Sequence, residues 1–221
     1  MKLFLNALIK FIFGFLAVGI LIFAPAGTFE FKNGWLLIII LFVPMVIFGA
    51  VLLFKAPKLL ERRLDNKEKQ SVQKGVVALS AVLFVIGFVV SGLDFKYGWS
   101  HIPQAAVLVA SFFFLVSYGI YAEVMRENSY LSRTVKVENN QKVIDTGLYA
   151  LVRHPMYAAT VWMFLAIPIV LGSWIALIVF AHYPIIIVIR ILNEEKVLEK
   201  ELQGYSEYKK KVKYRLIPLV W

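Results

Sequence analysis

The chain has 221 residues, of which 60% are hydrophobic and only 17% are charged. Because soluble domains average roughly 45–50% apolar and about 25% charged residues, this composition excludes a soluble enzyme, a disordered chain and a DNA-binding domain. The net charge of +10 is carried by basic residues that lie between apolar runs, a pattern typical of orientation in a membrane rather than of nucleic-acid binding.

Several apolar runs are long enough to cross a membrane, for which a helix needs about 20 predominantly apolar residues. Four such runs cover residues 3–23, 35–54, 76–93 and 102–121. A fifth region, 156–192, is too long for one span, and Gly172 and Ser173 divide it into two helices that we expect to form a tight hairpin. The sequence therefore predicts an all-α polytopic membrane protein with about six transmembrane helices.

The loops between these runs predict the orientation of the chain. Cytoplasmic loops of membrane proteins are enriched in lysine and arginine. Basic residues are concentrated in segments 55–75 and 122–154 and in the C-terminal tail, whereas loops 24–34 and 94–101 hold one lysine each. We therefore expect both termini, and any site at the same ends of the spans, to face the cytoplasm.

Two regions follow from this arrangement. The first, 1–122, contains four spans and the basic segment 55–75, in which residues 58–74 are predicted to form a helix at the headgroup surface. The second, 123–221, contains a loop, the helical hairpin and a cytoplasmic tail. Residues 193–213 continue the last span with apolar residues at helical spacing, which predicts a cytoplasmic C-terminal amphipathic helix.

The first candidate site is the start of the hairpin. Its polar and glycine residues form the pattern Gly147-x-Tyr149-x-x-x-Arg153-His154-Pro155-Met156-Tyr157. Proline suits the first turn of a helix, where its missing N–H is not needed, and the free N–H groups of that turn favour an anionic ligand. An ordinary helix start, with Arg153 and His154 bound to lipid head groups, is the alternative.

The second candidate site is the end of the last span. Arg190 and Glu194 are four residues apart and share a helix face, and Glu195 follows directly. A structural Arg190–Glu194 pair and a pair of carboxylates beside a cationic ligand are both consistent with this spacing. Further along, Tyr205-x-x-Tyr208 lies in a stretch that also fits a basic amphipathic helix on the membrane. His182, inside the last span, is expected to make a helix–helix hydrogen bond, with haem ligation as the alternative.

Some chemistries are excluded by missing residues. The chain has no cysteine, so thiolate catalysis and cysteine-ligated metals are excluded, and we expect no metal site. It has no Gly-x-Gly, so neither a dinucleotide fingerprint nor a P-loop is present.

Taken in order, these motifs resemble the isoprenylcysteine carboxyl methyltransferase family, which is itself similar to the phospholipid N-methyltransferases. The resemblance covers roughly residues 134–218 and includes Glu194-Glu195-x-x-Leu198. It implies an integral membrane methyltransferase that uses S-adenosylmethionine, with 123–221 as the methyltransferase region. The acceptor would be a lipophilic small molecule or lipidated substrate from the bilayer, most simply the carboxylate of an isoprenylcysteine-like or isoprenoid compound.

The resemblance also implies the site residues. Arg190 would bind the acceptor, and Arg190 and Glu194 would be the catalytic residues, with Glu194 as the base if the acceptor were an amine. The implied cofactor-binding residues are Gln141, Lys142, Val143, Ile144, Tyr149, His154, Pro155, Met156, Tyr157, Glu194 and Glu195. The charges of these residues fit the cofactor, since carboxylates compensate its sulfonium and its amino group, and aromatic rings attract cations.

Three other functions are left open by the sequence. They are a phospholipid amine N-methyltransferase, an NADPH-dependent sterol-type reductase, whose ending resembles residues 208–218, and a non-enzymatic membrane or haem-carrying subunit. Membrane lipids are expected partners in every case, nucleic acid in none, and the oligomeric state is open.

Overall fold

The protein consists of long apolar helices joined by short turns and one longer loop. The structure is a computed structural model that describes residues 1–65, 68 and 70–221, and this described part contains no strand. The helices are α1 Lys2–Ala26, α2 Lys32–Lys55, α3 Pro57–Leu64, α4 Ser71–Tyr97, α5 Gln104–Glu127, a 3₁₀ helix Gly147–Ala150, α6 Pro155–Leu171, α7 Trp174–Phe180, α8 Tyr183–Glu201 and α9 Tyr205–Lys211. The predicted all-α class is confirmed.

Within the described part of the chain, five stretches are long and apolar enough to cross a membrane: α1, α2, α4, α5 and Trp174–Glu201, which joins α7 and α8. Large apolar side chains such as Phe13, Ile20 and Phe112 are exposed on these helices, as expected of surfaces that face lipid. The apolar helix α6 has 17 residues and is shorter than the other candidates. The predicted total of six spans stays a prediction, because it depends on α6.

The predicted hairpin between α6 and α7 is present. Gly172 has φ 83° and ends α6, and the Ser173 hydroxyl accepts the N–H of Ala176 to cap α7. Ser173 also donates to the buried carboxylate of Asp94, which accepts the backbone N–H of Ser100 at 2.7 Å. Asp94 therefore ties the hairpin turn to the end of α4. The hairpin packs between α5 and α4.

The last span is interrupted, which the sequence analysis did not predict. Helix α7 ends at Phe180 and α8 begins at Tyr183, because the ring of Pro184 would clash with the Phe180 carbonyl in a continuous helix. His182 lies in the turn, is exposed, and has Nδ1 2.9 Å from the Ile178 oxygen of the preceding turn. The predicted helix–helix hydrogen bond of His182 is therefore wrong.

Two other predicted helices are also divided. The segment 58–74 contains the end of α3 at Leu64 and the start of α4 at Ser71, and its residues 66, 67 and 69 lie outside the described residues. The segment 193–213 is divided by Gly204, which adopts φ 85° between α8 and α9. Both predictions of one continuous helix are wrong. The second break lets α9 fold back toward the start of α6.

Candidate functional site

A cavity opens where the loop after α5, the start of α6, the end of α8 and α9 meet. It contains about 820 Å³ not filled by atoms, part of it open to solvent. Every predicted cofactor-binding residue except Glu195 lines it: Gln141, Lys142, Val143, Ile144, Tyr149, His154, Pro155, Met156, Tyr157 and Glu194. The sequence motifs, which extend from residue 141 to residue 208, are thus brought together at one place. We call this space the polar cavity.

The start of α6 is held by the C-terminal tail. His154 is the N-cap residue and Pro155 occupies the first turn, as predicted. The backbone N–H groups of Arg153 and His154 donate to the carbonyl oxygens of Tyr214 and Arg215, both at 2.9 Å. The N–H groups of Met156 and Tyr157 in the first turn have no backbone acceptor among the described residues, and both residues line the polar cavity.

The turn before α6 requires glycine. Gly147 has φ +50°, and a Cβ atom at this position would lie 1.3 Å from Oε1 of Glu127. The other oxygen of Glu127 accepts the N–H of Leu148 at 3.0 Å. The glutamate therefore occupies the space that a side chain at position 147 would need, and it sets the path of the chain into the 3₁₀ helix.

Two buried tyrosines connect this turn to the tail. The Tyr149 hydroxyl accepts a hydrogen bond from the Asn128 amide at 2.9 Å, and the Tyr208 hydroxyl donates to the Tyr149 carbonyl at 2.7 Å. Burial raises the pKa of both Tyr149 and Tyr208 well above the usual value. Both hydroxyls therefore remain protonated at neutral pH.

Glu195 lies behind the polar cavity and is only 3% exposed. Its Oε1 accepts from Nε of Arg153 at 2.8 Å and is 3.3 Å from Nε2 of His154, and its Oε2 accepts from Nε of Arg215 at 3.0 Å. The structure therefore departs from the expectation that Glu195 faces the cofactor. Its carboxylate is enclosed by three side chains and joins α8 to the start of α6 and to the tail.

Glu194 and Arg190 meet through Tyr157. Nε of Arg190 donates to the Tyr157 hydroxyl at 2.7 Å, and this hydroxyl donates to Oε2 of Glu194. Nη2 of Arg190 donates to the carbonyl oxygen of Arg133 at 2.8 Å. The alternative of a direct Arg190–Glu194 pair is absent from the ion pairs of the described residues, and the tyrosine bridges the two instead.

A second cavity lies beside the first, between α4, α6 and α8. Its empty volume is about 970 Å³, and its walls are mostly apolar. The apolar lining residues include Val76, Val77, Ala81, Phe84, Phe164 and Ile187. We call it the apolar cavity. It shares Ser132, Met156, Tyr157 and Arg190 with the polar cavity, so the two spaces meet at these four residues.

Part of the lining of the polar cavity was not predicted from the sequence. The loop after α5 contributes Asn128, Tyr130, Leu131, Ser132, Thr134, Val135 and Lys136 to the polar cavity. Leu198 of α8, which the motif contained without an assigned role, lines it as well. Arg62 of α3 fixes this loop, since its Nε donates to Oε1 of Glu138 at 2.7 Å. An irregular loop has no periodicity that a sequence reading can detect, and only its polar composition between two apolar runs marks it.

Comparisons with known proteins agree with this arrangement. Residues 100–204 match the model of a family described as phospholipid methyltransferase. The fold is similar to that of a eukaryotic intramembrane Ras methyltransferase, ICMT (isoprenylcysteine carboxyl methyltransferase), with a TM-score of 0.50 and 18% identity over 100% of this chain and 88% of that chain. No curated protein sequence matches the chain significantly. The match to the family model favours the family that the motifs indicated over the reductase and the haem-subunit alternatives, and the structural similarity shows the fold.

Proposed function

We propose that this chain, whose residues 100–204 match the phospholipid methyltransferase family, is a membrane methyltransferase that methylates the carboxylate of a lipophilic acceptor with S-adenosylmethionine. The observation that carries the proposal is the meeting of the two cavities. The polar cavity has both polar and apolar lining residues and suits a charged, water-soluble cofactor with an aromatic base, whereas the more strongly apolar cavity suits the hydrocarbon part of a lipid. The two ligands would then face each other at Met156, Tyr157 and Arg190.

The residues of the polar cavity fit the proposed cofactor. S-adenosylmethionine supplies a methyl group on a positively charged sulfur. Among the described lining residues Glu194 is the one carboxylate, and it would compensate positive charge there. The first turn of α6 would receive the cofactor's carboxylate through its N–H groups. The buried ring of Tyr149 offers an apolar face to the adenine or a π-face to the sulfonium.

The chain's own residues would then align the acceptor rather than activate it. An ionised carboxylate is already a nucleophile, so its methylation requires correct orientation and exclusion of water. The guanidinium of Arg190 would hold the acceptor oxygen, because its planar donors match a carboxylate. The hydrogen bond from Arg190 to Tyr157 fixes the direction of that guanidinium, and the apolar cavity would keep the acceptor's chain out of water.

The proposal is tested with purified protein in detergent, incubated with methyl-labelled S-adenosylmethionine and a lipid extract of the host. We expect the label in a lipid methyl ester, which mild base releases as methanol. Heat-denatured protein is the control for non-enzymatic transfer. Label that resists base would contradict carboxylate methylation, and the absence of any labelled lipid would contradict the activity itself.

A second candidate acceptor is a phospholipid amine. Two observations favour it: the name of the matching family model, and the position of Glu194 beside the junction of the cavities. An amine must lose a proton before or during transfer, and Glu194 would be the general base. Base-stable label in an amine head group, in the same experiment, is the result that this second candidate requires.

A further inference from the structure

The apolar cavity has positively charged side chains in its lining, close to its junction with the polar cavity. The apolar cavity is lined by Arg63, Arg133 and Arg190, and none of its described lining residues is acidic. Arg63 belongs to α3, outside the residues that match the methyltransferase family. A cavity with apolar walls and a cationic end suits a ligand with a hydrocarbon chain and an anionic head.

Arg63 is held in place by neutral groups. Its Nη1 donates to the carbonyl oxygen of Ser132 at 3.2 Å, its Nη2 donates to the Tyr121 hydroxyl, and its guanidinium lies 5.4 Å from the centre of the Tyr121 ring. These contacts fix the orientation of the group, and none of these partners is a carboxylate. The neighbouring Arg62, in contrast, forms an ion pair with Glu138.

Arg63 and Arg190 are both half-buried, and neither is within 4 Å of a carboxylate oxygen among the described residues. A partly buried guanidinium is normally paired with an anion, because removing it from water is costly. Glu68 does not line the apolar cavity, and its carboxylate accepts the backbone N–H groups of Gln70 and Val135. The charges of Glu194 and Glu68 act on Arg190 from beyond hydrogen-bonding distance. A guanidinium carries more N–H donors than these contacts use, so Arg63 and Arg190 keep donors for an anion beside the junction.

We propose that Arg63 acts with Arg190 as a second arginine for the acceptor's head group and selects a lipid with an ionised carboxylate. The acceptor role rests on the proposed function, whereas binding of a lipid anion does not. Two guanidinium groups supply planar paired donors to the oxygens of one anion, which discriminates against alcohols and amines of the same chain length. Arg63 is thus a specificity residue contributed by an element outside the family match.

The test measures binding without methyl transfer. Purified protein in detergent is loaded with a fluorescent fatty acid, which is displaced by dodecanoic acid, dodecyl phosphate, dodecanol or dodecylamine. We expect the wild type to bind dodecanoic acid more tightly than the alcohol or the amine. Arg63→Gln should lower the affinity for dodecanoic acid by about ten-fold or more, which is the effect of losing one charge-assisted hydrogen bond. The affinity for dodecanol should stay unchanged.

Lys58→Gln is the matched control, since it removes one positive charge from an exposed position of the same helix and should leave all four affinities unchanged. Arg63→Lys and Tyr121→Phe test the same proposal if Arg63→Gln does not fold. Both should lower the preference for the acid by a smaller factor, because each keeps the charge and loses part of the geometry.

Equal acid-to-alcohol preference in wild type and Arg63→Gln would overturn the proposal, as would equal losses for the acid and the alcohol. Stronger displacement by dodecyl phosphate than by dodecanoic acid would overturn the choice of a carboxylate. Failure of the proposed function is distinguishable: it would appear as absent methyl transfer or absent S-adenosylmethionine binding, while the selectivity of lipid binding and its dependence on Arg63 persist.

Discussion

At the scale of single residues, the site depends on a few positions at which the surrounding atoms restrict which residue fits. Gly147 is one, because its backbone conformation and the carboxylate of Glu127 both exclude a larger residue. Tyr208 and Tyr205 are two others, three residues apart and both buried, but only the hydroxyl of Tyr208 has a hydrogen-bond partner among the described residues. Each of these positions can therefore be compared with a matched position by substitution.

Gly147→Ala should weaken S-adenosylmethionine binding and lower thermal stability, because the left-handed backbone costs about 1 kcal/mol for alanine and Glu127 must also move. Gly204→Ala is the control: Gly204 has φ +85°, but a Cβ there meets only Val143 at 3.8 Å. We expect Gly147→Ala to cost more than Gly204→Ala, and to cost less when Glu127→Ala is present as well. Additive effects of Gly147→Ala and Glu127→Ala would show that the two residues do not compete for space.

Tyr205→Phe and Tyr208→Phe should differ in their effect on thermal unfolding in detergent. Tyr208→Phe leaves the buried carbonyl of Tyr149 without its donor, which costs about 1–3 kcal/mol. Tyr205→Phe removes a buried hydroxyl that has no partner among the described residues, so the unfolding midpoint should stay the same or rise. A lower midpoint for Tyr205→Phe than for Tyr208→Phe would contradict this account.

At the scale of helices, the site is assembled by contacts between elements rather than within them. Helix α8 supplies two adjacent carboxylates with different tasks, since consecutive helical residues point about 100° apart. Glu194 lines the polar cavity, and Glu195 joins α8 to the start of α6 and to the tail. Helix α3 supports the loop after α5 through Arg62 and faces the apolar cavity with Arg63.

Glu195→Gln and Glu194→Gln should therefore separate stability from binding. Glu195→Gln leaves Arg153, whose side chain is 3% exposed, without its anion, and breaking a buried pair in this way costs about 3–5 kcal/mol. We expect a much lower unfolding midpoint and faster proteolysis of the tail. Glu194→Gln should keep the midpoint and weaken S-adenosylmethionine binding about ten-fold or more, measured by calorimetry. The reverse pattern would indicate that Glu195, and not Glu194, faces the proposed cofactor.

At the scale of the whole molecule, sequence reasoning succeeded where the signal was local. The start of α6 at Pro155 and the turn at Gly172 follow from the chemistry of proline and glycine, so they were predictable. The separate roles of Glu194 and Glu195 were not, because the sequence does not show the rotation of α8 about its axis. Arg63 was also missed, since it reaches the site from a helix more than 120 residues before Arg190.

The structure also bears on topology, because it groups the turns of the molecule at two ends. Ser100 accepts the N–H of Trp174, and Asp94 accepts from Ser173, so the loop near residue 98 and the hairpin turn lie at one end. The polar cavity lies at the other end, beside the C-terminal tail. The loops at one end are those that the loop charges predict for the outer side, and the segments at the other end are those predicted for the cytoplasmic side.

We expect both termini to be cytoplasmic, with six crossings if α6 spans the membrane. Segments rich in lysine and arginine are retained on the cytoplasmic side, and the tail after residue 195 is strongly basic. Reporter fusions after residue 221 and within the loop at residue 98 should therefore report opposite sides, with activity at 221 typical of the cytoplasm. Since S-adenosylmethionine is made in the cytoplasm, a fusion at 221 that reports the outer side would separate the polar cavity from its proposed cofactor. That result would contradict the methyltransferase assignment of this cavity as well as the topology.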